Sequence, residues 1–204
     1  MNFYIETHDE RMNDILDTGA SLEKVAGGFR FLEGPVWEPY KKTLIFSDIM
    51  GNGLFHKDNT DTISVYRENS YLANGNTYDR TGRLLTCEHG TSRVTREELD
   101  GSTTIVASHY QGKELNSPND IVVARDGSIY FTDPTPGRMG RVGIPREQEL
   151  DFQGVFRIDP DGRLHLLVDD FSKPNGLCFS HDERYLYVND TDHQHIRRFD
   201  VRHD

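Results

Sequence analysis

After about residue 26 the 3.6-residue spacing of an amphipathic helix is scarce, while short apolar runs bounded by Gly, Asp, Asn or Pro recur along the chain. This pattern predicts strands at Thr43–Ser47, Gly53–His56, Leu84–Cys87, Arg93–Thr95, Ile121–Val123, Ile129–Thr132, Val155–Ile158, His165–Val168, Leu177–Phe179, Tyr185–Val188 and Ile196–Phe199. Thr81-Gly82, Asp126-Gly127 and Asp161-Gly162 read as tight turns, in which glycine supplies the positive φ.

The strands group into a repeating unit. Segments beginning GPVWEPYKKTLIFSDI, NGNTYDRTGRLLTCEHG, NDIVVARDGSIYFTDP and NGLCFSHDERYLYVND each open on a short strand, turn, run through a second apolar strand ending near Asp or Glu, and close on a third. Gly34, Gly75, Asp120 and Gly176 mark equivalent points, at intervals of 41, 45 and 56 residues. A period of about 40 to 50 residues is that of a β-propeller blade, so the expected fold class is all-β, with about four blades represented. The long third interval holds an insertion, Thr135–Gln153, expected as a flap over one face or as a disordered surface loop. Residues 1–27 read as an N-terminal extension that could complete a last blade, and 28–204 as a partial propeller whose repeat stops mid-fold. Such a piece would leave two sheet faces and the channel exposed.

Composition narrows the function. The 204 residues carry a formal net charge of -11, which argues against a nucleic-acid partner and favours cations. The N-terminus lacks the n- and h-regions of a secretory signal, and nothing approaches the roughly 20 apolar residues of a membrane span, so the expectation is a cytoplasmic protein without a membrane partner. Cys87 and Cys178 have no metal-binding spacing and are expected as free buried thiols; Trp37 is expected in the core.

Repeat starts are where a propeller presents side chains to its axis. Glu33, Asn74, Asn119 and Asn175 occupy those places in the four units. One carboxylate with amide oxygens is a hard, oxygen-only ligand set that suits Ca²⁺ and would hold Zn²⁺ poorly. Glu-Gly, Asn-Gly and Asn-Asp are also ordinary turn chemistry, but turns could use Asp, Ser or Gly equally well, so recurrence in four units favours a site. His193, His195 and His203 with Asp190 and Asp192 suggest either a transition-metal site or, more simply, a solvated strand edge. No serine stands in a GxSxG setting.

The strings LEGPVWEPYKKTLIFSDI, GRLLTCEHGTSRVTR, LNSPNDIVVARDGSIYFTDPT, GVFRIDPDG and KPNGLCFSHDERYLYVND resemble the SMP-30/gluconolactonase/luciferin-regenerating-enzyme family, in particular its gluconolactonase branch. The resemblance runs from about Gly28 onward. It implies a six-bladed propeller with one divalent cation, usually Ca²⁺ with Zn²⁺ or Mn²⁺ as alternatives, that hydrolyses sugar lactones such as glucono-1,5-lactone. It further implies metal ligation by Glu33 and Asn175, with Asn119 beside the metal and touching substrate or water; Asn74 and Asp120 are expected to bind substrate. The family's remaining ligand, an Asp in a fifth-blade Pro-Asp-Gly, has no counterpart after Asn175; Asp159-Pro160-Asp161-Gly162 precedes it and reads as a hairpin turn.

His89 and Asp133 end the second strands of their blades and could reach the channel mouth as proton carriers. For His89 the alternative is a blade-capping hydrogen bond to backbone. The competing functions are a catalytically inactive propeller that binds a ligand, and the same fold acting on phosphotriesters or other lactones.

Overall fold

The structure is a computed structural model, and it describes residues 5–17 and 19–202. His203 of the histidine group therefore lies outside the described residues. Among the described residues between 5 and 31 the only helical element is a short 3-10 turn, Glu10–Asp14, capped by the Asp9 carboxylate.

The first sheet holds β1 (Leu32–Glu38), β2 (Thr43–Asp48), β3 (Gly53–Lys57) and β4 (Ile63–Glu68), hydrogen-bonded in that order. The second holds β5 (Ala73–Tyr78), β6 (Leu84–Glu88), β7 (Arg93–Glu97) and β8 (Thr103–Ala107). A two-stranded ribbon, β9 (His109–Tyr110) and β10 (Lys113–Glu114), leads into the third sheet of β11 (Ile121–Val123), β12 (Ile129–Asp133), β13 (Gln153–Ile158) and β14 (Leu164–Phe171). The fourth sheet is β15 (Pro174–Phe179), β16 (Tyr185–Asp190) and β17 (His195–Asp200). Every pairing is antiparallel, and the inner strands β1, β5, β11 and β15 pack in sequence against one another. These are consecutive blades of a β-propeller.

All eleven expected strands lie inside observed ones, and Gly127 and Gly162 turn at φ of 92° and 87°. The unit is richer than expected, because three of the four sheets carry a fourth strand. In the first two sheets that strand is β4 or β8, edge segments whose residues are largely exposed, so their apolar alternation is weak.

The core lies between neighbouring sheets, and strand alternation builds it. On β12, Ile129 and Phe131, with Ile121 of β11, face Leu85 and Val94 of the second sheet, while Tyr130 faces Leu177 and Val188 of the fourth. Ile45, Leu54, Ala73 and Leu84 fill the space between the first two sheets.

The outward faces of the end sheets have no adjoining sheet among the described residues, which corrects two expectations. Trp37 pairs with Leu44 on the outward face of the first sheet and is 55% exposed, not core. Cys178 pairs with Tyr187 on the outward face of the fourth and is likewise exposed, whereas Cys87 is buried. The insertion, in turn, is packed: Arg138 and Leu150 are buried, and the Arg138 guanidinium binds the carbonyls of Leu115 and Asn116 and the Glu114 carboxylate.

Candidate functional site

Each blade carries one carboxylate at the end of its second strand: Asp48, Glu88, Asp133 and Asp190. Three of them do the same thing. Asp48 accepts the backbone amides of Arg30 and Phe31, Asp133 those of Asn116 and Ser117, and Asp190 those of Ser172 and Lys173. The chain entering each inner strand would otherwise bury unpaired N–H groups, and the carboxylate satisfies them. In the second blade Glu88 turns instead to Thr91, Arg93 and Thr95.

The clamps set three axial residues in place. Glu33, Asn119 and Asn175 follow the clamped segments, and Asn74 stands at the matching position of the second blade, on or beside the inner strands. Their backbones are tied between blades: Ser47 Oγ donates to the Asn74 carbonyl at 2.6 Å, Thr132 Oγ1 to that of Asn175 at 2.7 Å, and Gly75 N to that of Asn119 at 2.8 Å. The approach is close enough to demand glycine. A Cβ on Gly34 would stand 2.0 Å from the Asn74 carbonyl oxygen, and one on Gly75 would stand 2.6 Å from that of Asn119.

The axial side chains divide into two kinds. Asn74 Nδ2 lies 3.1 Å from His89 Nε2. Among the described residues, the side chains of Glu33, Asn119 and Asn175 have no hydrogen-bond partner; Asn119 is buried and the other two are half-buried. Three hard oxygen donors without internal partners on matching inner-strand positions fit a Ca²⁺-type cation by their chemistry. Asp120 follows Asn119, its Oδ1 accepting the amide of Ile121 and its Oδ2 lying 3.4 Å from that of Leu177. Burial, and after it the negative charge of Glu33, raises the Asp120 pKa.

The two residues expected to move protons are otherwise engaged. His89 is 1% exposed; Nδ1 lies 3.2 Å from the Val142 carbonyl and Nε2 faces Asn74, so both ring nitrogens have partners. Burial lowers its pKa to about 4, leaving the ring neutral. Asp133 is fully buried with both oxygens on backbone amides, the geometry of a structural clamp, and burial pushes its pKa up to about 7. Sequence reasoning singled it out alone; its recurrence as Asp48 and Asp190 was the available signal of a structural role.

Asp190, His193 and His195 place their ligand atoms within 4.8 Å of one another. Asp190, however, is the clamp of the fourth blade and also accepts the amides of Asp192 and His193, while both histidines are exposed. The sequence reading expected a solvated strand edge; the group lies instead around the exposed turn between β16 and β17, with a stabilised carboxylate at its base.

The sequence profile of the SMP-30/Gluconolactonase/LRE-like region family matches residues 31–204. The chain is 33% identical over 197 residues to the gluconolactonase of Zymomonas mobilis subsp. mobilis, an alignment covering 89% of this chain and 55% of that protein. A solved gluconolactonase structure from Xanthomonas campestris superposes with a TM-score of 0.83 at 39% identity, covering 87% of this chain and 61% of that one. Regucalcin from Agrobacterium tumefaciens, a calcium-binding protein, shares the fold at a TM-score of 0.67 and 17% identity, over 85% of this chain and 55% of that one. The chain thus spans about half the length of the curated gluconolactonase it matches. With the blade period, the Glu and Asn residues of the inner strands and the profile in agreement, the chain belongs to the SMP-30/gluconolactonase/LRE-like family.

Proposed function

We propose that this protein is a divalent-cation-dependent hydrolase of sugar lactones, with Ca²⁺ as the cation its donor set suits best. The observation that carries the reading is the set of oxygen donors Glu33, Asn119 and Asn175, at matching inner-strand positions and without internal partners. The gluconolactonases of Zymomonas mobilis and Xanthomonas campestris support the substrate class. Glu33, Asn119 and Asn175 would hold the cation, whose chemistry when bound is to polarise the lactone carbonyl and acidify water. Asn74 and Asp120 lie beside this set and bind the hydroxyl groups of the ring. Asp120, the axial carboxylate closest in sequence to Asn119, orients the attacking water by accepting its proton in a hydrogen bond. Asp133 and His89 hold the scaffold and do not carry the proton, because both are buried from solvent with their polar atoms bonded, whereas Asp120 is half-buried.

The test is lactone opening by protein stripped with EDTA and refilled with Ca²⁺, Mn²⁺ or Zn²⁺. Glu33→Gln and Asn175→Ala should each weaken cation binding about tenfold or more, read by calorimetry, with turnover falling in parallel. A rate no greater than spontaneous opening with every cation would sink the proposal, and unchanged cation affinity in both variants would remove these two ligands from it.

A further inference from the structure

The second blade departs from the others in the residue that meets its axial amide. His89 Nδ1 faces the Val142 carbonyl, which can only accept, so Nδ1 carries the proton. The ring is neutral, so Nε2 is then a bare acceptor, and the Asn74 group facing it at 3.1 Å is the Nδ2 donor. The opposite amide orientation would set two acceptors against each other. Asn74 Oδ1 is left as the free end of the amide, with no partner among the described residues.

The insertion enforces this arrangement. Val142 belongs to it, and so does Arg146, whose guanidinium bonds the His89 carbonyl at 2.8 Å and the Ser92 hydroxyl. Gly137 lies directly on the ring: a Cβ there would stand 2.7 Å from His89 Cγ. His89 thus has one ring nitrogen fixed by a segment 53 residues away and the other fixed on an axial side chain.

We propose that His89 is a positioning residue that locks the Asn74 amide with Oδ1 outermost, so that this axial position accepts a hydrogen bond and selects a ring substrate bearing a hydroxyl there. The inference rests on the lactone reading for its substrate class, and on the hydrogen-bond geometry of a neutral, buried His89 ring for the orientation. A site that hydrogen-bonds a hydroxyl discriminates against an analogue lacking it, because its own polar group is then left unpaired.

Two measurements test it. Long-range ¹⁵N–¹H spectra of the ¹⁵N-labelled protein at neutral pH should show the His89 proton on Nδ1; a proton on Nε2 would overturn the proposal whether or not the protein turns over any lactone. In kinetics, His89→Leu should raise KM for glucono-1,5-lactone about tenfold, the worth of one hydrogen bond, with kcat little changed and KM for unsubstituted δ-valerolactone unaffected. Asn74→Ala should reproduce that selectivity without disturbing His89, and His89→Gln, which keeps an acceptor, should recover most of the KM. Equal losses on both lactones in the Asn74 variant would reduce His89 to a packing residue. Should neither lactone be opened by the wild-type protein, the substrate reading fails on its own and the spectrum still decides the orientation.

Discussion

The third and fourth blades use the same device with opposite electrostatic results. Asp133 and Asp190 each accept the amides of the two residues that lead into an inner strand. Over Asp133 lies the insertion with the buried Arg138, and burial drives the carboxyl up to about 7. Asp190 is also inaccessible, but among the described residues only the exposed turn 191–194 lies over it; its amides and the His193 ring outweigh desolvation and hold it down at about 2. The hydrogen-bond pattern is set by blade geometry, whereas the charge state is set by what lies on top of the blade.

The largest expected effect breaks that cover. Arg138→Met removes a buried ion pair with Glu114, leaves the Leu115 carbonyl without its side-chain donor and the Asn116 carbonyl with only the Ser92 hydroxyl, a loss of about 3–5 kcal/mol in urea unfolding. Arg197→Met, which breaks the exposed pair between Arg197 of the fourth sheet and Asp170 of the third, should cost under about 1 kcal/mol. Similar losses in both would show that the insertion is not part of the cooperative fold.

His89 gives the next effect. Its folded pKa of about 4 lies below the ordinary 6.5, so the unfolded chain binds the extra proton in that window. Stability is therefore lost as pH falls from 6.5 toward 4, by up to about 3 kcal/mol, and His89→Gln should flatten that slope.

The two clamps should then separate by the sign of their pH dependence. Asp190, depressed to about 2, stabilises above the ordinary 3.8, and its contribution is lost as pH falls through about 2; Asp190→Asn should cost about 1–3 kcal/mol at neutral pH. Asp133, raised to about 7, contributes fully below 3.8, and its contribution is lost as pH rises through about 7. The cost of Asp133→Asn should accordingly shrink between pH 4 and 8. In the wild type this slope opposes that of His89, so the single variants are needed to see either. A shared sign for the two aspartates would refute the comparison.

The smallest effect concerns the outward faces: Trp37→Ala, at a 55% exposed position, should change stability by no more than about 0.5 kcal/mol. A loss of several kcal/mol would mean that this face is covered in solution.

Much of the fold was legible because blades repeat and their second strands carry short apolar runs, such as Leu84–Cys87 and Ile129–Thr132. β4 and β8 were missed for the converse reason: they lie at sheet edges, and solvent removes the alternation that marks a strand. Among the candidate residues, the inner-strand positions of Glu33, Asn74, Asn119 and Asn175 followed from the repeat. The surroundings of His89 did not, since they depend on Val142 and Arg146 arriving from the insertion.

The sequence by itself determined the all-β class, the blade period, the family and the oxygen-rich inner-strand set, because each is written in local spacing or in ordered motifs. Only the tertiary structure decided that Asp133 is a clamp, that His89 is neutral and bonded on both nitrogens, and that Trp37 faces outward. Those properties depend on which segments cover a residue. Burial and hydrogen-bond partners come from chain distant in sequence, and no local pattern encodes them.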